Sequence, residues 1–167
     1  MKLRGTILFK EQQYFRIAWM WWLIGICMLS VVGINIGLLF TSRKESKSSW
    51  IVLPFVIIIE ILVVYFMYIT RLDTVVTGEG VFYRWAPLQR SYRFIPASEI
   101  AEMTKRDGPT MSYGCNWVPG YGRVNNVAPG MGFQFVLKNG KKIFLGTGKL
   151  IAFENAIQKI ISGPKRM

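Results

Sequence analysis

Residues 17–40 read IAWMWWLIGICMLSVVGINIGLLF and carry no charge, and residues 51–70 read IVLPFVIIIEILVVYFMYIT and carry one, Glu60. A hydrocarbon core of about 30 Å needs about 20 helical residues rising about 1.5 Å each, and both stretches meet that length. A soluble chain of 167 residues could not surround two such helices, so residues 17–70 are expected to form a two-helix transmembrane hairpin. Lys2, Arg4, Lys10 and Arg16 precede the first stretch, as they would in a secretory leader. The apolar run exceeds a leader's core of about 7–15 residues, and no small-x-small cleavage site follows Phe40, so it is read as an anchor.

Flanking charge gives the orientation. The head, 1–16, holds those four cations, and Arg71 opens a basic C-terminal region. The intervening TSRKESKSSW offers only Arg43, Lys44 and Lys47. The positive-inside rule then puts both termini in the cytoplasm and the short loop outside. Trp19, Trp21, Trp22 and Trp50, with Tyr65, Phe66 and Tyr68, fall at the depths where rings anchor at headgroups, although ordinary packing explains any single one equally well. Residues 1–16 read as a short amphipathic lead-in lying at the interface.

An ionised carboxylate at the bilayer centre costs at least about 2.5–3.5 kcal/mol, so Glu60 needs an explanation. Folding back through 41–50 sets it opposite Val31, within reach of Ser30 or Asn35, and Gly33 and Gly37 form a small-residue face for close approach. Three roles stay open: a bond that fixes the hairpin, a contact with another membrane subunit, or proton or ion translocation.

Beyond Arg71 the period changes to two. Strands are expected over 72–77 and 81–85 around a Gly78-Glu79-Gly80 turn, then over 90–95 and 99–106. Residues 108–130 are rich in Gly, Pro and Asn, and a connection that long is functional or hides a strand, for which 121–127 is the candidate. In 131–137, Phe133, Phe135 and Leu137 share one face, and Asn139-Gly140 turns the chain into 142–146. Over 149–161, Leu150, Phe153, Ile157 and Ile160 recur at helical spacing, and Gly163-Pro164 ends the helix before a 164–167 tail. About seven antiparallel strands and one C-terminal helix suit a bent sheet or partly open barrel covered by that helix, an α+β domain over 71–163.

The chain has no histidine, which removes the commonest acid–base group and every Cys/His metal spacing, and Cys27 and Cys115 lie in different regions. It contains no G-x-S-x-G and no P-loop, so no catalytic residue and no cofactor is assigned. Gly146-Thr147-Gly148-Lys149 at a helix start could offer N–H groups to a phosphate, but a strand-to-helix turn explains it as well.

The net charge is +12, and from Arg71 onward fourteen Lys/Arg face six Asp/Glu. A basic domain tethered beside a bilayer gains about 1 kcal/mol per cation close to anionic lipid. Arg84, Arg90 and Arg93, interleaved with Trp85, Tyr92 and Phe94, form the candidate face for headgroups. Single-stranded nucleic acid fits the same interleaving but ranks lower, because tethering already accounts for the charge. Tyr113, Trp117, Tyr121 and Arg123, set among the glycines of 108–130, are the second candidate surface.

Three passages carry a family resemblance: Glu11-Gln12-Gln13-Tyr14-Phe15-Arg16 running into the Trp-rich helix, Ile95-Pro96-Ala97-Ser98-Glu99-Ile100, and the hairpin 132–147, GFQFVLKNGKKIFLGT. With Tyr113-Gly114-Cys115-Asn116-Trp117, they make the chain resemble bacterial two-helix membrane proteins that carry a pleckstrin-homology-like domain. The resemblance implies that fold and an inner-membrane location, and no reaction. Phosphoinositide-binding members of the wider fold place several cations on the first hairpin, whereas residues 75–84 here hold one basic and one acidic side chain. The expected role is docking or scaffolding, with membrane lipids, further copies of the chain or other membrane proteins as partners. The alternative is a small accessory subunit of a transporter or secretion complex, touching its partner through Glu60.

Overall fold

In the computed structural model, residues 5–41, 47–110 and 112–161 are described, with side chains excepted over 38–41 and 47–53. Lys2, Arg4, Arg43, Lys44, the Trp50 side chain and the 164–167 tail lie outside the described residues. Among the described residues the protein is α+β, with two N-terminal helices, nine strands in two sheets and a C-terminal helix packed on sheet. It divides into two compact units, residues 16–69 and residues 1–15 with 70–167.

The smaller unit holds α1 (Ala18–Thr41) and α2 (Lys47–Ile69). Trp21, near the start of α1, meets Tyr68, near the end of α2, edge to face at 6.4 Å, so the helices run antiparallel. Over Ala18–Gly37, α1 is long and apolar enough to cross a membrane, with mean hydropathy 1.8 and none of that window buried. Where its side chains are described, α2 is apolar over the shorter span Pro54–Ile69.

The larger unit begins before the helices. β1 (Ile7–Tyr14) pairs antiparallel with β2 (Arg71–Thr77), Tyr14 opposite Arg71. This corrects the expectation of a surface lead-in over 1–16 and of a domain confined to 71–163: the helical pair is inserted between the domain's first two strands. Phe9 and Glu11 point inward two residues apart, and Phe9 meets Phe153 at 5.2 Å. β3 (Gly80–Ala86) and β4 (Arg93–Pro96) complete the four-stranded sheet in sequence order. The Gly78 turn thus joins the second and third strands, so its lack of cations does not bear on the first connection, which is the helical pair itself.

After a 3-10 turn at Ala97–Glu99 come β5 (Ile100–Asp107), β6 (Gly114–Val118), β7 (Gly122–Asn126), β8 (Met131–Leu137) and β9 (Lys142–Gly146). The second sheet runs β5-β8-β9-β7-β6. The expected seven strands become nine through β1 and β6, and β7 pairs parallel with β9, so the sheet is mixed. The third expected strand shortens to Arg93–Pro96, and residues 87–92 form a turn.

Phe133, Phe135 and Leu137 enter one core with Leu72, Val76 and Trp85, as their period requires. α3 (Leu150–Ile161) covers this core through Phe153, Ala156 and Ile157, with Leu150 and Ile160 at its margin. Phe153 meets Phe133 at 5.2 Å and Phe135 at 6.3 Å. Aromatic pairs at this spacing add about 0.5–1.5 kcal/mol each beyond the area they bury.

Candidate functional site

A groove of about 900 Å³ opens on the β-rich unit between β3–β4, the β6–β7 hairpin and the β8–β9 turn. Arg93 comes from the start of β4, where it pairs with Tyr83 of β3. Trp117 and Arg123 face each other across the β6–β7 hairpin. That hairpin is fixed by Gly122, whose φ is +73° and where a Cβ would strike the Lys142 carbonyl oxygen. Lys141 and Lys142 leave a three-residue turn of Lys138, Asn139 and Gly140, in which Gly140 takes φ +79° and Gly140 N–H donates to the Leu137 carbonyl at 2.8 Å.

The lining therefore gathers Arg93, Arg123, Lys141 and Lys142 and, among the described residues, includes no carboxylate. Trp117 stands 74% exposed within it, a flat apolar surface beside the cations. Arg123 Nε donates to Cys115 Sγ at 3.3 Å. Cys115 is solvent-accessible, but partial desolvation against the groove wall pushes its thiol above its ordinary pKa, and the nearby Arg93 partly opposes the rise. Tyr83 is raised too, first by burial, with Arg93 again pulling it down. The site suits an anion with an apolar portion.

Of the residues picked from sequence, Arg93, Trp117 and Arg123 meet in the groove, and Arg84, Arg90, Tyr113 and Tyr121 do not line it. Arg84 lies directly opposite Asp73 in the β2–β3 register and donates to it at 2.8 Å through Nε. Asp73 is buried and also accepts from Arg71 Nε at 3.0 Å, so one carboxylate holds two guanidiniums. Arg84 also stacks on Tyr92 at 4.5 Å. The expected shared face of Arg84, Arg90 and Arg93 thus separates, with Arg84 in an ion pair and Arg90 exposed on the 87–92 turn. Tyr121 is structural: its hydroxyl donates to the Asp107 carbonyl at 3.0 Å, and its ring packs on Phe144 and under Arg106. The Tyr113 carbonyl accepts from Asn116 Nδ2 at 2.9 Å. The sequence reading missed Lys141, Lys142, Cys115 and Tyr83; the Asn139-Gly140 turn was the signal for the two lysines, which directly follow it at the start of the return strand.

At Gly146–Lys149 the chain supplies its own anion. Glu11 Oε2 accepts from Thr147 Oγ1 at 2.6 Å, and Glu11 Oε1 accepts from Gly148 N at 3.1 Å. Thr147 Oγ1 in turn accepts from Lys149 N at 3.1 Å. A carboxylate from β1 fills the place at the start of α3 that a phosphate would take.

Within the helical unit, Ser30 Oγ donates to the Ile26 carbonyl and Asn35 Nδ2 to the Val31 carbonyl, both at 2.8 Å. Neither bonds to Glu60, and a Cβ placed at Gly33 or Gly37 would meet nothing within 4 Å. The close-packed polar contact expected around Glu60 does not form among the described residues, because both candidate donors are satisfied by their own helix. Comparison with known protein families, with curated proteins and with solved structures finds no match.

Proposed function

We propose that the protein is a membrane-anchored docking module whose groove receives anionic lipid headgroups. The observation that carries this reading is the groove itself, with four cations, no carboxylate and an exposed tryptophan in one lining. A phosphate diester meets the guanidiniums through charge-assisted hydrogen bonds, while Trp117 lies against the glycerol and upper acyl carbons.

Anchoring rests on the length and apolarity of α1, with α2 as its return span. The pairing of Tyr14 with Arg71 supports a hairpin, since a segment that leaves and rejoins one sheet at opposed residues crosses a membrane an even number of times. Both termini then share the cytoplasmic face of the inner membrane, as the charge bias favours. A four-stranded meander, a second sheet and a covering C-terminal helix are in keeping with the pleckstrin-homology-like resemblance, with β6–β7 as an added hairpin.

The test uses the full chain, because residues 71–167 alone lack β1. In nanodiscs of phosphatidylcholine, short-chain phosphatidylglycerol is expected to change tryptophan fluorescence saturably, less so at high salt, and not in Trp117→Phe. Inorganic phosphate in a parallel titration separates a lipid site from a free-phosphate site. Equal responses to short-chain phosphatidylcholine and phosphatidylglycerol would rule out the headgroup reading.

One observation favours the second reading, an accessory subunit. Glu60 has no hydrogen bond among the described residues, although a carboxyl in hydrocarbon needs one. A basic or polar group on a larger membrane complex would satisfy it, and co-purification lost on Glu60→Leu and retained on Glu60→Gln is the expected mark.

A further inference from the structure

We infer that the turn over residues 87–92 is a separate membrane contact, with Leu88 set among the headgroups of an anionic bilayer. This rests on the anchoring reading above and is independent of the groove. Tyr14, Arg71 and Ala86 lie side by side across β1, β2 and β3. Tyr14 ends β1, Arg71 opens β2 and Ala86 ends β3. Residues 15, 70 and 87 therefore leave the sheet at one end, the end from which the chain runs into and out of the apolar helices. The Gly78-Glu79 turn closes the opposite end.

The 87–92 turn is built rather than slack. Gln89 N–H donates to the Trp85 carbonyl at 2.6 Å, and Gln89 Oε1 accepts from Trp85 N at 3.4 Å. Trp85 is itself buried, its Nε1 donating to Asn125 Oδ1 at 3.1 Å. On this fixed base Leu88 projects with 64% of its surface exposed. The turn itself, residues 87–92, holds Arg90 and no Asp or Glu, and Arg90 is exposed two residues from Leu88. The far turn carries the opposite sign, in exposed Glu79.

An apolar tip flanked by arginine, at the tethered end of a sheet, matches a bilayer surface in both polarity and charge. The covalent junctions at residues 15 and 70 keep this end within a short reach of the headgroups, so contact requires no search through solution. The occupant is the anionic lipid surface.

The test compares three single-cysteine forms of the full chain, each labelled with an environment-sensitive fluorophore in vesicles of phosphatidylcholine and phosphatidylglycerol. The labels sit at native Cys27 (with Cys115→Ser), at position 88 (Leu88→Cys with Cys27→Ser and Cys115→Ser) and at position 79 (Glu79→Cys in that same double-serine background). The expected result is strong quenching by lipid-borne spin labels at 27, several-fold more quenching at 88 than at 79, and a fall at 88 on adding Arg90→Glu. Quenching at 27 with 88 as water-accessible as 79 overturns the turn contact and leaves the anchor standing. Aqueous behaviour at 27 overturns the anchor and the turn contact together.

Discussion

Two places in the β-rich unit welcome negative charge, and the chain treats them oppositely. At the start of α3 the buried Glu11 carboxylate accepts from Thr147 and Gly148, so the anion is built in and ties the first strand to the last helix. In the groove Arg93, Arg123, Lys141 and Lys142 converge without a carboxylate, so no anion is supplied from within. The first arrangement uses its electrostatics to hold the fold together, and the second is where the proposed ligand would supply the missing anion.

Breaking the internal site is expected to have the largest effect. Hydrogen bonds to a charged group contribute about 1.5–3 kcal/mol each, so Glu11→Ala, which strands the Thr147 hydroxyl and the Gly148 N–H, should cost about 3 kcal/mol or more. Denaturant unfolding of the full chain in detergent measures it, and Glu11→Gln, which keeps an acceptor, should recover about half. Unchanged stability in both variants would dissolve the contrast between the two sites.

Neutralising the groove should instead spare the fold. Arg93→Gln with Arg123→Gln removes about 2 kcal/mol of attraction to anionic lipid, about thirty-fold in affinity, with a shallower salt dependence and little change in unfolding. Next comes Trp117→Ala, expected to weaken short-chain lipid binding about tenfold through lost apolar contact while leaving stability within about 0.5 kcal/mol. Loss of stability without loss of binding would assign Trp117 to the fold.

The finest probe is Cys115. Partial desolvation holds this accessible thiol above the ordinary value of about 8.5, so alkylation in unliganded protein should reach half its limiting rate above that pH. Arg93→Gln removes the opposing cation and should move the profile higher still. A saturating anionic lipid should slow alkylation at any fixed pH if it occupies the groove.

What could be read from sequence was what neighbours in the chain decide. The Phe133, Phe135, Leu137 face, the Asn139-Gly140 turn and the Leu150–Ile160 stripe are local patterns, and each forms. β1 escaped because its inward face includes Glu11, a residue that looks solvated until Thr147 and Gly148 arrive from 136 and 137 residues away. β6 escaped because Gly114-Cys115-Asn116-Trp117-Val118 has no alternation, its middle residues being exposed alike. Arg93, Trp117 and Arg123 were recognisable by residue type, but their meeting depends on tertiary packing. The diversion of Arg84 was legible in principle, since counting outward from the Gly78 turn puts Asp73 directly opposite it.

The insertion of α1 and α2 between the first two strands also sets an order of events during synthesis. If both helices enter a bilayer, as proposed, Ile7–Tyr14 leaves the ribosome first and has no strand to join until residues 71–77 follow. The sheet can close only once the chain has returned to the side it departed from. On the proposed hairpin topology, a molecule that threads one helix and strands the other would leave β1 unpaired across the membrane, so closure of the first sheet would report that both helices had inserted.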